Sequence, residues 1–162
     1  MAYTTPTTAV SGATLAAAVW NASVRDNFKA LADAWTSYTP TLTGFTLGNG
    51  TIVGYYMQVG KFVTFRAKFT FGTTSAAASA WPTFTLPVTS ASNDLFQLFT
   101  GGYRDASASQ YYAGAAYCPG TFTTVRVGII GSSGATTQPT TTTPFTWTTS
   151  DTIEVAGVYE AG

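Results

Sequence analysis

The feature that most constrains this chain is a hydrophobic alternation of period two that begins near Thr36 and recurs through the rest of the sequence. In KFVTFRAKFTF (61–71), Val63, Phe65, Ala67, Phe69 and Phe71 fall on one side, with Phe62, Thr64, Arg66, Lys68 and Thr70 on the other. Successive side chains of a strand point to opposite faces, so this pattern describes a sheet with one buried side. TFTTVRVGII (121–130) sets Thr123, Val125, Val127 and Ile129 against Thr124, Arg126 and Gly128. TIEVAGVYE (152–160) sets Ile153, Val155, Gly157 and Tyr159 against Glu154, Ala156 and Val158. Shorter candidates lie at 38–46, 51–58, 83–88, 95–103 and 110–117. About eight strands with Gly, Pro or Ser between them predict an antiparallel β-sandwich or barrel. With no alternation of strands and helices, a parallel α/β sheet is excluded.

One segment breaks the pattern. Residues 14–35, TLAAAVWNASVRDNFKALADAW, are rich in helix formers, with Thr14 as N-cap. Trp20, Val24, Phe28, Leu31 and Trp35 recur at steps of four, four, three and four, which places them on one face. Arg25, Asp26, Lys29 and Asp33 mark the polar side. Such a helix packs on its own sheet, or it meets copies of itself or a docking partner. The predicted organisation is therefore a flexible arm (1–13), an attachment or oligomerisation helix (14–36) and a β-sandwich (37–162).

Charge and residue usage narrow the function. Charged residues are 9% of the chain, against a usual ~25%, and seven cations balance seven carboxylates. Nucleic acid needs clustered Lys and Arg, so it is not an expected partner. No apolar run approaches the ~20 residues that span a bilayer, so membrane insertion is not expected either. The stretch MAYTTPTTAVSG lacks a basic region followed by an apolar one, which predicts folding in a cytoplasm. There is no histidine, which removes Ser-His-Asp catalysis and imidazole metal sites. The single cysteine, Cys118, cannot form an intrachain disulfide and is expected to be a buried thiol. No cofactor is expected. Paired carboxylates for sugar hydrolysis need only Asp or Glu, with Asp94, Asp105, Asp151, Glu154 and Glu160 as candidates. Solvated or turn carboxylates are the simpler account, and the chain is not expected to be an enzyme.

LGNGTIVGYYMQVGKFV (47–63) holds Gly48, Gly50, Gly54 and Gly60. It fails as a nucleotide loop. No helix pattern follows the glycines, five residues separate Gly54 from Gly60, and Phe62 follows Lys61 where a phosphate loop needs Ser or Thr. It reads instead as β-structure, with turns at Asn49-Gly50 and Gly60-Lys61 and a bulge or close backbone approach at Gly54. Aromatics near loops, Trp81, Tyr103, Tyr111, Tyr112 and Trp147, are candidates for glycan or partner contact, against core packing as the alternative. The hydroxyl-rich runs 72–82 and 131–144 are expected at exposed tips or between subunits.

The region 13–63 resembles small virion-surface proteins of tailed bacteriophages, especially those of actinobacterial hosts. The matching features are Trp20-Asn21 with Val24 to Asn27, then WTSYTPTLTG (35–44), then the glycine pattern from Leu47 to Val63. The resemblance implies a jelly-roll-like sandwich assembled as a homotrimer. It implies attachment to other virion proteins through the N-terminal arm and helix, and a virion location after synthesis in the host cytoplasm. A tail appendage of the minor tail or fibre type that contacts a host cell-surface glycan is the first expectation. A head-decoration protein that stabilises the capsid is the alternative, and a glycan-active tail enzyme is the remaining one. The chain departs from such proteins in lacking a long fibre shaft.

Overall fold

In the computed structural model the described residues are 5–8, 10–14, 16–32, 35–92, 97–118 and 123–162. The strands are β1 (Thr36–Tyr38), β2 (Leu42–Thr43), β3 (Thr51–Val59), β4 (Phe62–Thr70), β5 (Thr83–Thr85), β6 (Leu98–Asp105), β7 (Gln110–Tyr117), β8 (Thr124–Ile130), β9 (Thr136–Thr137) and β10 (Thr152–Glu160). All pairings are antiparallel, and nine strands form one path in the order β1-β3-β4-β10-β6-β7-β8-β5-β2, with β9 beside β8. The fold is thus mainly β and antiparallel, preceded by a helix, as the alternation required.

The sandwich is a single sheet curled over itself. Its two edge strands, β1 and β2, are consecutive in the chain and joined by Thr39, Pro40 and Thr41 alone. Laid flat, eight strand spacings would part those edges by roughly 38 Å. Four Cα steps reach only about 14 Å. The sheet must therefore bend until its ends nearly meet, with Pro40 fully buried at the seam. Thr41 continues the β2–β5 pairing. Its N–H donates to Thr85 Oγ1 at 2.8 Å, and its carbonyl accepts from the Thr85 N–H at 3.1 Å.

The curled sheet encloses the apolar phase of each strand. Val63, Phe65, Ala67 and Phe69 of β4 are buried, with Val125 and Val127 of β8 and Ile153, Val155 and Tyr159 of β10. The interior is dominated by rings. Phe65 meets Phe99 edge-on at 5.4 Å and Tyr159 at 5.6 Å. Trp147 stacks on Phe71 at 4.9 Å and meets Phe45, Phe145 and Tyr103. Each such pair adds about 0.5–1.5 kcal/mol beyond its buried area. Tyr159 also ties the loop at Val88, donating from its hydroxyl to the Val88 carbonyl at 2.7 Å and accepting from the Val88 N–H at 3.2 Å. Cys118 is a buried thiol, as expected.

Gly54 marks a close approach and not a bulge. The β3–β4 register runs unbroken from Thr51 opposite Thr70 to Val59 opposite Phe62. Tyr38 of β1 lies opposite Gly54, and a Cβ there would sit 2.4 Å from the Tyr38 ring. The Gly60-Lys61 turn is as expected. It is a two-residue hairpin with positive φ at its first position (Gly60, 59°), as a type II′ turn requires. The Asn49-Gly50 turn is corrected by one residue. Gly48 carries the positive φ of 55° and the Gly50 N–H returns to the Leu47 carbonyl at 2.9 Å, so Gly48-Asn49 form the corner. The Asn49 side chain serves another purpose. Its Oδ1 accepts from the Thr74 N–H at 2.9 Å and its Nδ2 donates to Thr73 Oγ1 at 2.9 Å. That pins the start of the 72–82 run, expected at an exposed tip or between subunits, and leaves Thr73 and Thr74 exposed.

The helical segment is shorter than expected and not uniform. It comprises α1 (Ala17–Trp20), a π turn (Asn21–Arg25) and α2 (Asp26–Ala32). Ala16 stands at the N-cap without a side-chain bond, so Thr14 does not cap it. The π turn has a geometric effect. A step of four residues drifts by about 40° in an α-helix of 3.6 residues per turn, whereas a π turn takes roughly 4.4. One turn of each takes about eight residues, so Trp20, Val24 and Phe28 fall nearly in line. The side chain of Leu31 and residues 33–34 lie outside the described residues.

Gly54→Ala is expected to cost about 1–3 kcal/mol in urea unfolding, because the added methyl meets a packed ring. Combined with Tyr38→Ala, the two losses should be markedly less than additive. Additive losses would show that the ring does not close on Gly54.

Candidate functional site

Among the described residues, the chemistry-bearing side chains do not converge on one centre. Asp151 is fully buried and accepts from the Thr148 N–H, from Thr148 Oγ1 at 3.3 Å and from the Ala106 N–H at 2.9 Å. Its carboxylate therefore ties the turn before β10 to the β6–β7 turn, at one end of these paired strands. Glu154, three residues on, is exposed on the outer face, so the two carboxylates look to opposite sides of the sheet. Asp105 closes the β6–β7 turn. Hydrogen bonds from the Ser107 hydroxyl and the Ala108 N–H hold its carboxyl below the usual range. Glu160 pairs with Lys61 at 3.1 Å. Asp94 lies outside the described residues. Among the described residues no three Asp, Glu, Cys or His side chains gather as a metal site would need.

The aromatics expected at a glycan or partner contact separate into inside and outside. Tyr103 is 2% exposed, so it is a core residue and not a contact. It sits mid-strand because β6 runs on to Asp105. Trp147 packs on the core, with its indole N–H donating to the Thr140 carbonyl at 2.9 Å. Tyr112 leans on Phe145 at 5.1 Å. Trp81 is half-buried over Gly128, with the Arg126 guanidinium 5.5 Å from its ring. Only Tyr111 stands open, at 78% exposure.

What the structure does assemble is a surface, of which the sequence had singled out Glu154, Tyr111 and Trp35 but not the floor between them. It is the outer face of β3, β4, β10, β6 and β7. Register aligns Val53, Lys68, Glu154, Gly102 and Ala113 in one row, and Tyr55, Arg66, Ala156, Thr100 and Ala115 in the next. The small residues of β10, β6 and β7 form the floor of a shallow depression of about 480 Å³, continuous through Thr100, Gly102 and Glu154 with a second of about 430 Å³. Arg66 stands at one rim between the rings of Trp35 and Tyr55, at 4.8 and 5.3 Å. Arg104 stands at the other, 5.7 Å from Tyr111. Along the strands the face continues into exposed Phe62, Val158 and Leu98.

The expected attachment stripe is also at the surface. Trp20 is 52% and Phe28 69% exposed, and neither α1 nor the π turn holds a buried residue. Trp35 only touches the rim of the face, through Arg66. Of the twelve large hydrophobic side chains exposed among the described residues, four lie between Val10 and Trp35 and six on the outer face. These are two concentrated apolar surfaces and not a scatter.

Comparison of the chain with protein-family models, with characterised proteins and with solved structures gives no match.

The buried phenols make stability fall in alkali. Burial raises the pKa of Tyr103 and Tyr38, and pushes Tyr159 up to about 12 from an ordinary 10. A phenol raised in the folded state favours folding fully below the unfolded value, and that contribution is lost as pH rises from 10 through 12. The thermal midpoint should therefore hold steady toward pH 10 and drop above it. Tyrosinate absorbance from three of the nine tyrosines should appear only with unfolding. Complete titration of all nine in the folded protein would contradict this packing.

Proposed function

We propose that this chain is a structural protein of a tailed-bacteriophage virion, a homotrimeric tail appendage that attaches through its N-terminal arm and helix. The observation that carries this reading is the exposed pair Trp20 and Phe28, with half-buried Val24 between them, on a helix whose first turns hold no buried residue. Large apolar side chains so displayed act as anchors when a second surface removes them from water. The likeness of 13–63 to phage virion-surface proteins supports the setting and the trimer.

The reading is tested by sedimentation and by labelling of particles. The purified chain should sediment as a trimer, and Trp20→Ser with Phe28→Ser should weaken association at least tenfold without altering the circular dichroism of the sheet. A stable monomer at micromolar concentration would overturn the trimer. Immunogold should mark tails; label on heads would replace the tail placement with capsid decoration.

A further inference from the structure

We infer that the outer face of β3, β4, β10, β6 and β7 is the socket that receives the N-terminal helix of a second copy of this chain. This rests on the assembly reading above and adds to it the acceptor surface.

Three observations carry it. The first is that the exposed apolar side chains divide almost wholly between these two surfaces, each lacking a partner in the single chain. The second is complementary shape. The helix presents bulky Trp20 and Phe28 in line, while the face is a depression whose floor is Gly102, Ala113, Ala156 and Thr100. Large side chains enter where small ones leave room. The third is size. Sixteen helical residues, Ala17 to Ala32, span roughly 24 Å, and four strand spacings give a face about 19 Å across. Trp20 and Phe28 are about 12 Å apart along the axis, close to two strand spacings.

The helix does not lie on its own face, although the two are joined at Trp35. A helix given to one neighbour and a face offered to another is a heterologous contact, which closes as a ring when its rotation is a whole fraction of a turn, as in the trimer proposed above. In a ring each copy covers both surfaces. The face projects to roughly 19 by 30 Å, and the helix stripe to about 24 by 10 Å. The helix covers no more of the face than its own footprint, so in the ring each copy gives up on the order of 500 Å², half from its helix and half from its face.

The test uses the full chain. Ala156→Glu places a carboxylate in the socket, opposite Arg66 on β4, at an exposed position that the folded sheet tolerates. It should weaken association at least tenfold with unchanged circular dichroism and thermal midpoint. In a second variant, Phe28→Cys with Ala156→Cys is treated with a short bismaleimide. It should give covalent dimers and trimers on a denaturing gel, and either cysteine alone should not, Cys118 being buried. A trimer that persists in Ala156→Glu and yields no interchain product overturns the socket and leaves the assembly reading standing. An unsubstituted chain that is monomeric overturns both. A cross-link confined to single chains overturns the inference by placing the helix on its own face.

Discussion

The structure depends on one short tether. Thr39, Pro40 and Thr41 join the two edge strands of a ten-stranded sheet, and no flat or gently twisted arrangement lets three residues do that. Curling follows from chain connectivity before any side chain is considered. Once the sheet curls, one phase of every strand is sealed from water and the other is turned outward. Proline suits the seam, since it has no N–H to leave unpaired and its ring is buried there.

A curled sheet of this width has a narrow interior, and the sequence fills it by pairing large with small. Tyr38 covers Gly54 and Phe99 covers Gly157, where an added Cβ would lie 2.4 and 2.3 Å from the ring. Of the glycines that suggested a ligand loop, Gly54 lies under the Tyr38 ring, while Gly48 and Gly60 turn the chain with positive φ. Aromatic density and glycine density are thus two sides of one packing solution. The hydroxyl of Tyr159 shows how the solution stays wet enough to be stable, with its one polar atom bonded twice to Val88.

The fold was legible from period-two alternation because a sheet with one sealed face needs it. β4, β8 and β10 could be read residue by residue. The short pieces could not. The run 38–46 divides at Pro40 into β1 and β2, which sit at opposite edges of the sheet, and two-residue β9 lies in a hydroxyl-rich stretch without alternation. Tyr103 was placed near a loop because the strand candidate 95–103 ends on it, whereas β6 runs on to Asp105. Trp147 carries no periodic signal at all, and only the tertiary fold brings it over Phe71. The exposed helix stripe was legible because its residues recur at steps of four. The outer face was not, because Ala156, Gly102, Thr100 and Ala113 become a floor only when three strands are aligned.

The way the sheet ends also limits how the protein can associate. Exposed strand edges pair readily with other chains, and proteins blunt them with short or covered edge strands. Here the edges are β1 and β2, of three and two residues, held together at a buried proline. Beyond Gly54 to Tyr56, where β1 pairs with β3, the backbone open to strand addition is limited to the short stretches 51–53 and 57–59 among the described residues. Association must then use side chains, and the chain has only fourteen charged ones, so its surfaces cannot rely on ion pairs. The remaining means is apolar burial, and the exposed apolar side chains are concentrated in the N-terminal region and on one face of the sheet. A sheet closed by a tether, poor in charge and shut at its edges, has its faces and its helix left for making contact.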